Sequence, residues 1–256
     1  MKNRKKLYIF VLLASGFIYV NAQPVANMVV GANIIKTNLT GAAFSHYGLQ
    51  YERVTGPNQS FAAGFSITPE IELPFKQSLL DAYGDNSDAR TAIESMKFTK
   101  FTFTPEYRFY VSKKGAPKGF YIATFARYTN MSIQNTYEFT PNSGKKHYLE
   151  LDGHFKGYGA GALFGIQYLL GNRWTIDWWI AGPFIGILDS KFDGIDRDTE
   201  DILTAQDEID LENDIEDLDI PLWTIDAEIQ NMKGTVELSG PFYGMRIMGL
   251  SIGFRL

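Results

Sequence analysis

Phe98-Thr99-Lys100-Phe101-Thr102-Phe103-Thr104-Pro105-Glu106-Tyr107-Arg108-Phe109-Tyr110-Val111-Ser112 reads with a period of two. Phe101, Phe103, Pro105, Tyr107, Phe109 and Val111 fall on one face, and Thr102, Thr104, Glu106, Arg108, Tyr110 and Ser112 on the other. Successive side chains of a strand point to opposite faces, so this pattern specifies a strand with one apolar and one polar wall. The end of the chain repeats it: Leu250, Ile252, Phe254 and Leu256 alternate with Gly249, Ser251, Gly253 and Arg255. From Tyr158 to Leu170, aromatic and aliphatic residues alternate with Gly157, Gly159, Gly161, Gly165 and Gln167, and Trp174, Ile176, Trp178, Ile180 and Phe184 stand opposite Thr175 and Asp177.

The same pattern predicts eight strands, near 27–36, 44–54, 61–71, 97–111, 119–134, 147–170, 174–188 and 240–256. Both faces look apolar over Phe242–Met248, where a bulge would re-aim the chain. Every second connection is short: 55–59, 113–118 and 171–173. The others, 37–43, 72–96, 135–146 and above all 189–239, are longer. With the N-terminus in the periplasm, all short turns fall on the periplasmic side and all other loops outside, the layout of an outer-membrane barrel. The expected fold is therefore all-β: an eight-stranded antiparallel up-and-down transmembrane barrel with short periplasmic turns and long extracellular loops. A soluble barrel would show Lys and Glu on its polar face. Here that face is mostly Gly, Ser and Thr, while Tyr47, Tyr51, Tyr107, Tyr128, Tyr168 and Trp174 sit near strand ends as an aromatic girdle.

The 256 residues include 24 Lys+Arg, 29 Asp+Glu, 37 aromatic residues and no cysteine. Disulfides, thiolate metal sites, a cysteine nucleophile and a lipid-bearing cysteine are excluded together. The negative balance argues against nucleic acid. Lys2, Arg4, Lys5 and Lys6 precede an apolar run from Leu7 to Val20 and a small-residue site at Val20-Asn21-Ala22. Residues 1–22 are expected to be a secretory signal peptide cut before Gln23, leaving 23–256 as the barrel. The run is too short for a comfortable membrane helix, and no later segment is long and apolar enough for one.

If the apolar faces meet lipid, the interior holds His46, Gln50 and a polar cluster of Glu52, Glu106, Arg108, Arg127, Asp177 and Arg255. Charges in so narrow a lumen must be paired. Asp177 and Arg255 are the expected pair, and the inward glycines of the sixth strand should leave space for long arginines to cross. An eight-stranded interior is just filled by side chains, so an open diffusion pore is not expected.

The long loop carries fourteen acids between Asp189 and Asp219, opposed only by Lys191 and Arg197. Ile202, Leu203, Ile209, Ile215 and Leu218 suggest a short amphipathic helix there. The run lacks the glycine and terminal glutamate of a twelve-residue calcium loop, so it reads as a solvated acidic loop. Residues 223–229 and 235–238 should form a hairpin prolonging the last strands, and 77–96 another short helix. Ser45-His46 at the outer end of the second strand is the one hint of lipid-directed catalysis, but adjacent strand residues face opposite ways. No catalytic, cofactor-binding or metal-binding residues are expected, and no nucleophile elbow or phosphate loop occurs.

Thr104-Pro105-Glu106-Tyr107-Arg108-Phe109-Tyr110 followed by Lys118-Gly119-Phe120-Tyr121-Ile122 resembles the paired-strand signature of a Bacteroidota outer-membrane β-barrel family of unknown function, small OmpA/OmpW-like barrels. Gly165–Leu170, Trp174–Trp178 and Gly249–Leu256 are similar to its later strands. The resemblance implies an outer-membrane barrel and carries no catalytic residues. The final Leu256 departs from the aromatic that commonly ends such barrels, leaving Phe254 to serve the assembly machinery.

The expectation is a monomeric, non-enzymatic barrel of the Gram-negative outer membrane, structural or surface-binding through its outer loops. Its partners would be outer-membrane lipid and lipopolysaccharide, the barrel assembly machinery and an extracellular partner of the acidic loop. The alternatives are a small hydrophobic-solute channel, a lipid-modifying enzyme using His46, and a soluble periplasmic ligand-binding barrel.

Overall fold

The computed structural model describes residues 30–73, 75–83, 87–139, 147–196, 204–216, 222–230 and 233–256. The leader expected over 1–22 lies outside them. The nine strands are β1 (Asn33–Asn38), β2 (Tyr47–Gly56), β3 (Gln59–Glu72), β4 (Lys97–Tyr110), β5 (Gly119–Phe139), β6 (His147–Leu170), β7 (Trp174–Asp196), β8 (Thr224–Gln230) and β9 (Lys233–Arg255). All pairings are antiparallel between sequence neighbours, except that β9 pairs β7 on one side and both β8 and β1 on the other. The β1–β9 pairing, from Ile34↔Arg255 to Asn38↔Ser251, closes an eight-stranded barrel of β1–β7 and β9. β8 is the extra strand, a hairpin partner that prolongs β9 beyond the barrel, as the pattern over 223–238 suggested.

Short connections gather at one end (the turn end) and long ones at the other (the loop end). Among the described residues the loop end carries four helices: α1 (Leu39–Ala43), α2 (Lys76–Tyr83), α3 (Ser87–Ser95) and α4 (Ala205–Glu216). α2 and α3 replace the one helix expected over 77–96, and α4 is the helix expected in the acidic loop. Its apolar contacts differ from the expected stripe. Leu211 and Ile215 face the sheet beside Leu151 and Val236, whereas Ile209 is exposed. Ile202, Leu203 and Leu218 lie outside the described residues.

The outer wall is apolar. Tyr168, Trp174, Trp178, Ile185 and Ile187 are each between 45 and 63 % exposed. On β7 this belt runs from Trp174 to Ile187, and Asp189, Lys191 and Asp193 follow on the same face. The faces are thus inverted relative to a water-soluble barrel, with charge inside and hydrocarbon outside. One alternation breaks. Phe164 faces Ala181 but Gly165 faces Trp179, so β7 has one extra residue at Ile180, and Met248 on β9 nearby has a positive φ of 51°. That bulge turns Phe184 inward against Phe125 and Phe242, correcting its expected outward place, and it falls beside the stretch of β9 whose two faces both look apolar.

Candidate functional site

The lumen is filled in its turn-end half by a largely buried polar network. Lys36 Nζ lies 2.5 Å from Glu52 Oε2, 2.6 Å from Asp177 Oδ2 and 2.7 Å from Gln167 Oε1. Arg108 donates from Nη1 to Asp177 Oδ2 (2.7 Å), from Nη2 to Glu106 Oε2 (2.8 Å) and Gln50 Oε1 (3.0 Å), and from Nε to Glu106 Oε2 (3.0 Å). Tyr110 and Ser60 donate to Glu52 Oε1 at 2.7 and 2.5 Å, and Tyr121 donates to Asp177 Oδ1 at 2.8 Å. Arg246 Nη1 lies 2.8 Å from Glu106 Oε1. Three cations (Lys36, Arg108, Arg246) therefore meet three carboxylates (Glu52, Glu106, Asp177), and every barrel strand contributes at least one member. Isolated charges at such depth would cost several kcal/mol each; charge balance and the hydrogen bonds around them are what make them tolerable.

The expected interior cluster divides. Glu52, Glu106, Arg108 and Asp177 belong to the network. Arg127 lies nearer the loop end, its guanidinium 5.8 Å from the Phe184 ring. Arg255 stays at the turn-end rim, half-buried, with its backbone N–H on Arg173 O. The expected Asp177–Arg255 pair does not form: Asp177 faces Ser251 in the β7–β9 register and turns across the lumen to Lys36 and Arg108. Arg255 sits four residues nearer the turn end. Nor do arginines fill the space left by the glycines of β6. Aromatic rings do: a Cβ on Gly165 would collide with the Tyr121 ring, and one on Gly157 would come within 2.8 Å of the Phe242 ring.

Sequence reasoning misses Lys36, at the end of the first expected strand, and Arg246, hidden in the stretch with two apolar faces. For Lys36 the signal was parity; Arg246 shares parity with the outward Leu250 and is turned inward only by the irregularity at Met248. Lys36 shares a face with the buried Ile34, and Gln167 and Tyr110 were already on polar faces. His46, Gln50 and Thr68 do face inward, with His46 Nδ1 2.8 Å from Thr68 Oγ1. Ser45, at a positive φ of 57°, is not that ring's partner.

Toward the loop end the lumen widens into a chamber of about 650 Å³ lined by Lys100, Arg127, Arg246, His46 and Trp179. Lys36, Gln50 and Glu106 form its floor. Among the described residues no group of three or more His, Cys, Asp or Glu side chains could hold a metal ion. No helix among them is long and apolar enough to cross a membrane, which says nothing of strands.

A closed antiparallel β-barrel with an apolar outer wall and a charge-balanced interior defines the class. Residues 8–207 match the model of the family described as protein of unknown function (DUF3575), and the chain belongs to that family. No curated protein matches it. The crystal structure of Acinetobacter baumannii CarO is similar over 84 % of this chain and 98 % of that one, at 12 % identity and a TM-score of 0.36.

Proposed function

We propose that the protein is a monomeric, non-enzymatic β-barrel of the Gram-negative outer membrane, in the Bacteroidota, exported on residues 1–22. Its turn end faces the periplasm and its helices and β8–β9 hairpin face outward. The barrel assembly machinery would insert it, lipid and lipopolysaccharide would surround its belt, and the outer loops, the acidic one included, would meet an extracellular ligand or partner.

The observation that carries this reading is the inverted barrel. Closure removes every edge at the turn end, the apolar belt suits hydrocarbon, and the charges lie inside. The network supports a closed lumen and so a binding or structural role above it rather than free diffusion. The test is electrophoretic mobility of protein extracted from separated envelope fractions. Faster migration when unboiled, in the outer-membrane fraction, is expected. A heat-insensitive band in the soluble periplasmic fraction would overturn the reading.

A further inference from the structure

The β1–β9 pairing closes the barrel at its turn end only, and beyond that pairing the wall has a gap. β1 pairs with β9 only up to Asn38↔Ser251, and β8 takes the same edge of β9 only from Ser239 to Lys233. Between them, over 240–250, no strand pairs with that edge among the described residues; Thr40 Oγ1 of α1 accepts from Leu250 N at 3.1 Å. This gap lies in the apolar belt, because Tyr243, Met245, Ile247 and Leu250 point outward and are exposed. Unpaired backbone cannot face hydrocarbon without large cost, unless it borders a polar cavity or a bound molecule.

It borders the chamber. Both faces of β9 line it, Arg246 and Gly249 from inside and Met245 and Ile247 from outside, and so do Leu49 and Gln50 from the two faces of β2. The chamber therefore opens sideways through a window between β9 and β2, below α1. Its inner wall is cationic. Lys100 and Arg127 have no carboxylate within ion-pair distance among the described residues, and the single acid of the lining, Glu106, is held by Arg108 and Arg246. The Trp179 Nε1 donor is buried with no hydrogen-bond partner. Unmatched donors inside and apolar side chains at the window ask for a molecule with an anionic end and a hydrocarbon end. The volume is in the range of small-molecule sites.

We propose that this chamber binds an amphiphile with one anionic head group, carboxylate or phosphate, its head on Lys100, Arg127 and Trp179 and its alkyl chain passing out through the window into the membrane. This deepens the membrane-barrel reading above and rests on it.

The test uses purified full-length protein in a neutral maltoside detergent, restricted to material that migrates faster unboiled, so that failure of the barrel reading is seen before any binding is measured. Native mass spectrometry follows retention of hexadecanoate and hexadecyl phosphate, with hexadecyltrimethylammonium and inorganic phosphate as comparisons. One equivalent of either anionic amphiphile is expected to be retained, the cationic one not. Inorganic phosphate at millimolar excess should fail to displace it. The Lys100→Gln/Arg127→Gln double variant should bind about tenfold more weakly or worse, the loss expected when charge-assisted hydrogen bonds are removed. Equal retention of the cationic amphiphile by the wild type, which needs no variant to fold, would overturn the proposal. So would unchanged binding by the folded double variant. Displacement by inorganic phosphate would overturn the membrane source and leave a site for free anions from outside.

Discussion

Lys36 on β1 and Asp177 on β7 are joined by a 2.6 Å salt bridge although their strands never pair. β9 lies between them, so the bridge spans the seam at which the first and last strands of the barrel meet. Both side chains are wholly shielded from solvent. Lys36 also holds Glu52 on β2, which makes one ammonium the tie between the two sides of the closure.

Removing that ammonium leaves two buried carboxylates short of a cation. Lys36→Met should cost about 3–5 kcal/mol, the usual penalty for breaking one side of a buried pair. Lys36→Met/Asp177→Asn should be less destabilised than the two single variants added together, by about 1 kcal/mol or more. Urea unfolding of the reconstituted protein reads both. Strict additivity would show that the two residues do not act as a pair.

Gly165 makes room for the ring of Tyr121, whose hydroxyl holds Asp177 Oδ1 at 2.8 Å. Gly165→Ala should therefore act on a charge network that it does not touch. The added methyl must push the ring aside, an overpacking cost of about 1–3 kcal/mol. Tyr121→Phe in the Gly165→Ala background should then add less loss than in the wild type, because the hydrogen bond is already compromised. Equal losses in the two backgrounds would place Gly165 outside the network.

The barrel itself was legible because period-two patterning and the parity of Glu52, Glu106, Arg108 and Asp177 are local properties of single strands. The pairings were not, because they depend on register across the lumen. Asp177 and Arg255 lie on adjacent strands with opposite charge, yet they are staggered by four residues, since Asp177 faces Ser251. The bulge at Ile180 likewise reverses Phe184 without any glycine or proline at that residue to announce it. The side window arises from the difference between the six residues of β1 and the 23 of β9. The alternation marks where a strand begins more poorly than that it exists: of the span expected for the first strand, 27–29 lie outside the described residues and 30–32 are turn or irregular before β1 starts at Asn33.

The acidic helix α4 uses two of its carboxylates on backbone rather than on ions. Glu216 Oε1 accepts from Ala227 N at 3.1 Å and Glu212 Oε2 accepts from Ile229 N at 3.3 Å. Both donors belong to β8, whose other edge is the one paired with β9, so the helix covers the free edge of an outermost strand. Glu212→Leu/Glu216→Leu should leave the barrel intact while speeding amide hydrogen exchange at Ala227 and Ile229, by the factor of about ten that loss of roughly 1.4 kcal/mol per site implies. Unchanged exchange at both amides would mean that the edge is protected by something other than these glutamates.

The same network sets a prediction for transport. Lys36, Arg108, Glu52, Glu106 and Asp177 close the lumen with no side-chain exposure at any of them, so reconstituted wild-type protein should release potassium chloride from vesicles no faster than empty lipid does. Arg108 bonds at once to Glu106 on its own strand, Gln50 on β2 and Asp177 on β7. Arg108→Ala removes a side chain that crosses the lumen and strands carboxylates that only water can then satisfy. Salt leakage should rise above the empty-lipid rate in Arg108→Ala and should stay at that rate in Arg255→Ala, because Arg255 stands at the rim outside the network. A wild-type barrel that leaks freely would show that the network does not seal it, and leakage from Arg255→Ala alone would move the seal to the turn-end rim.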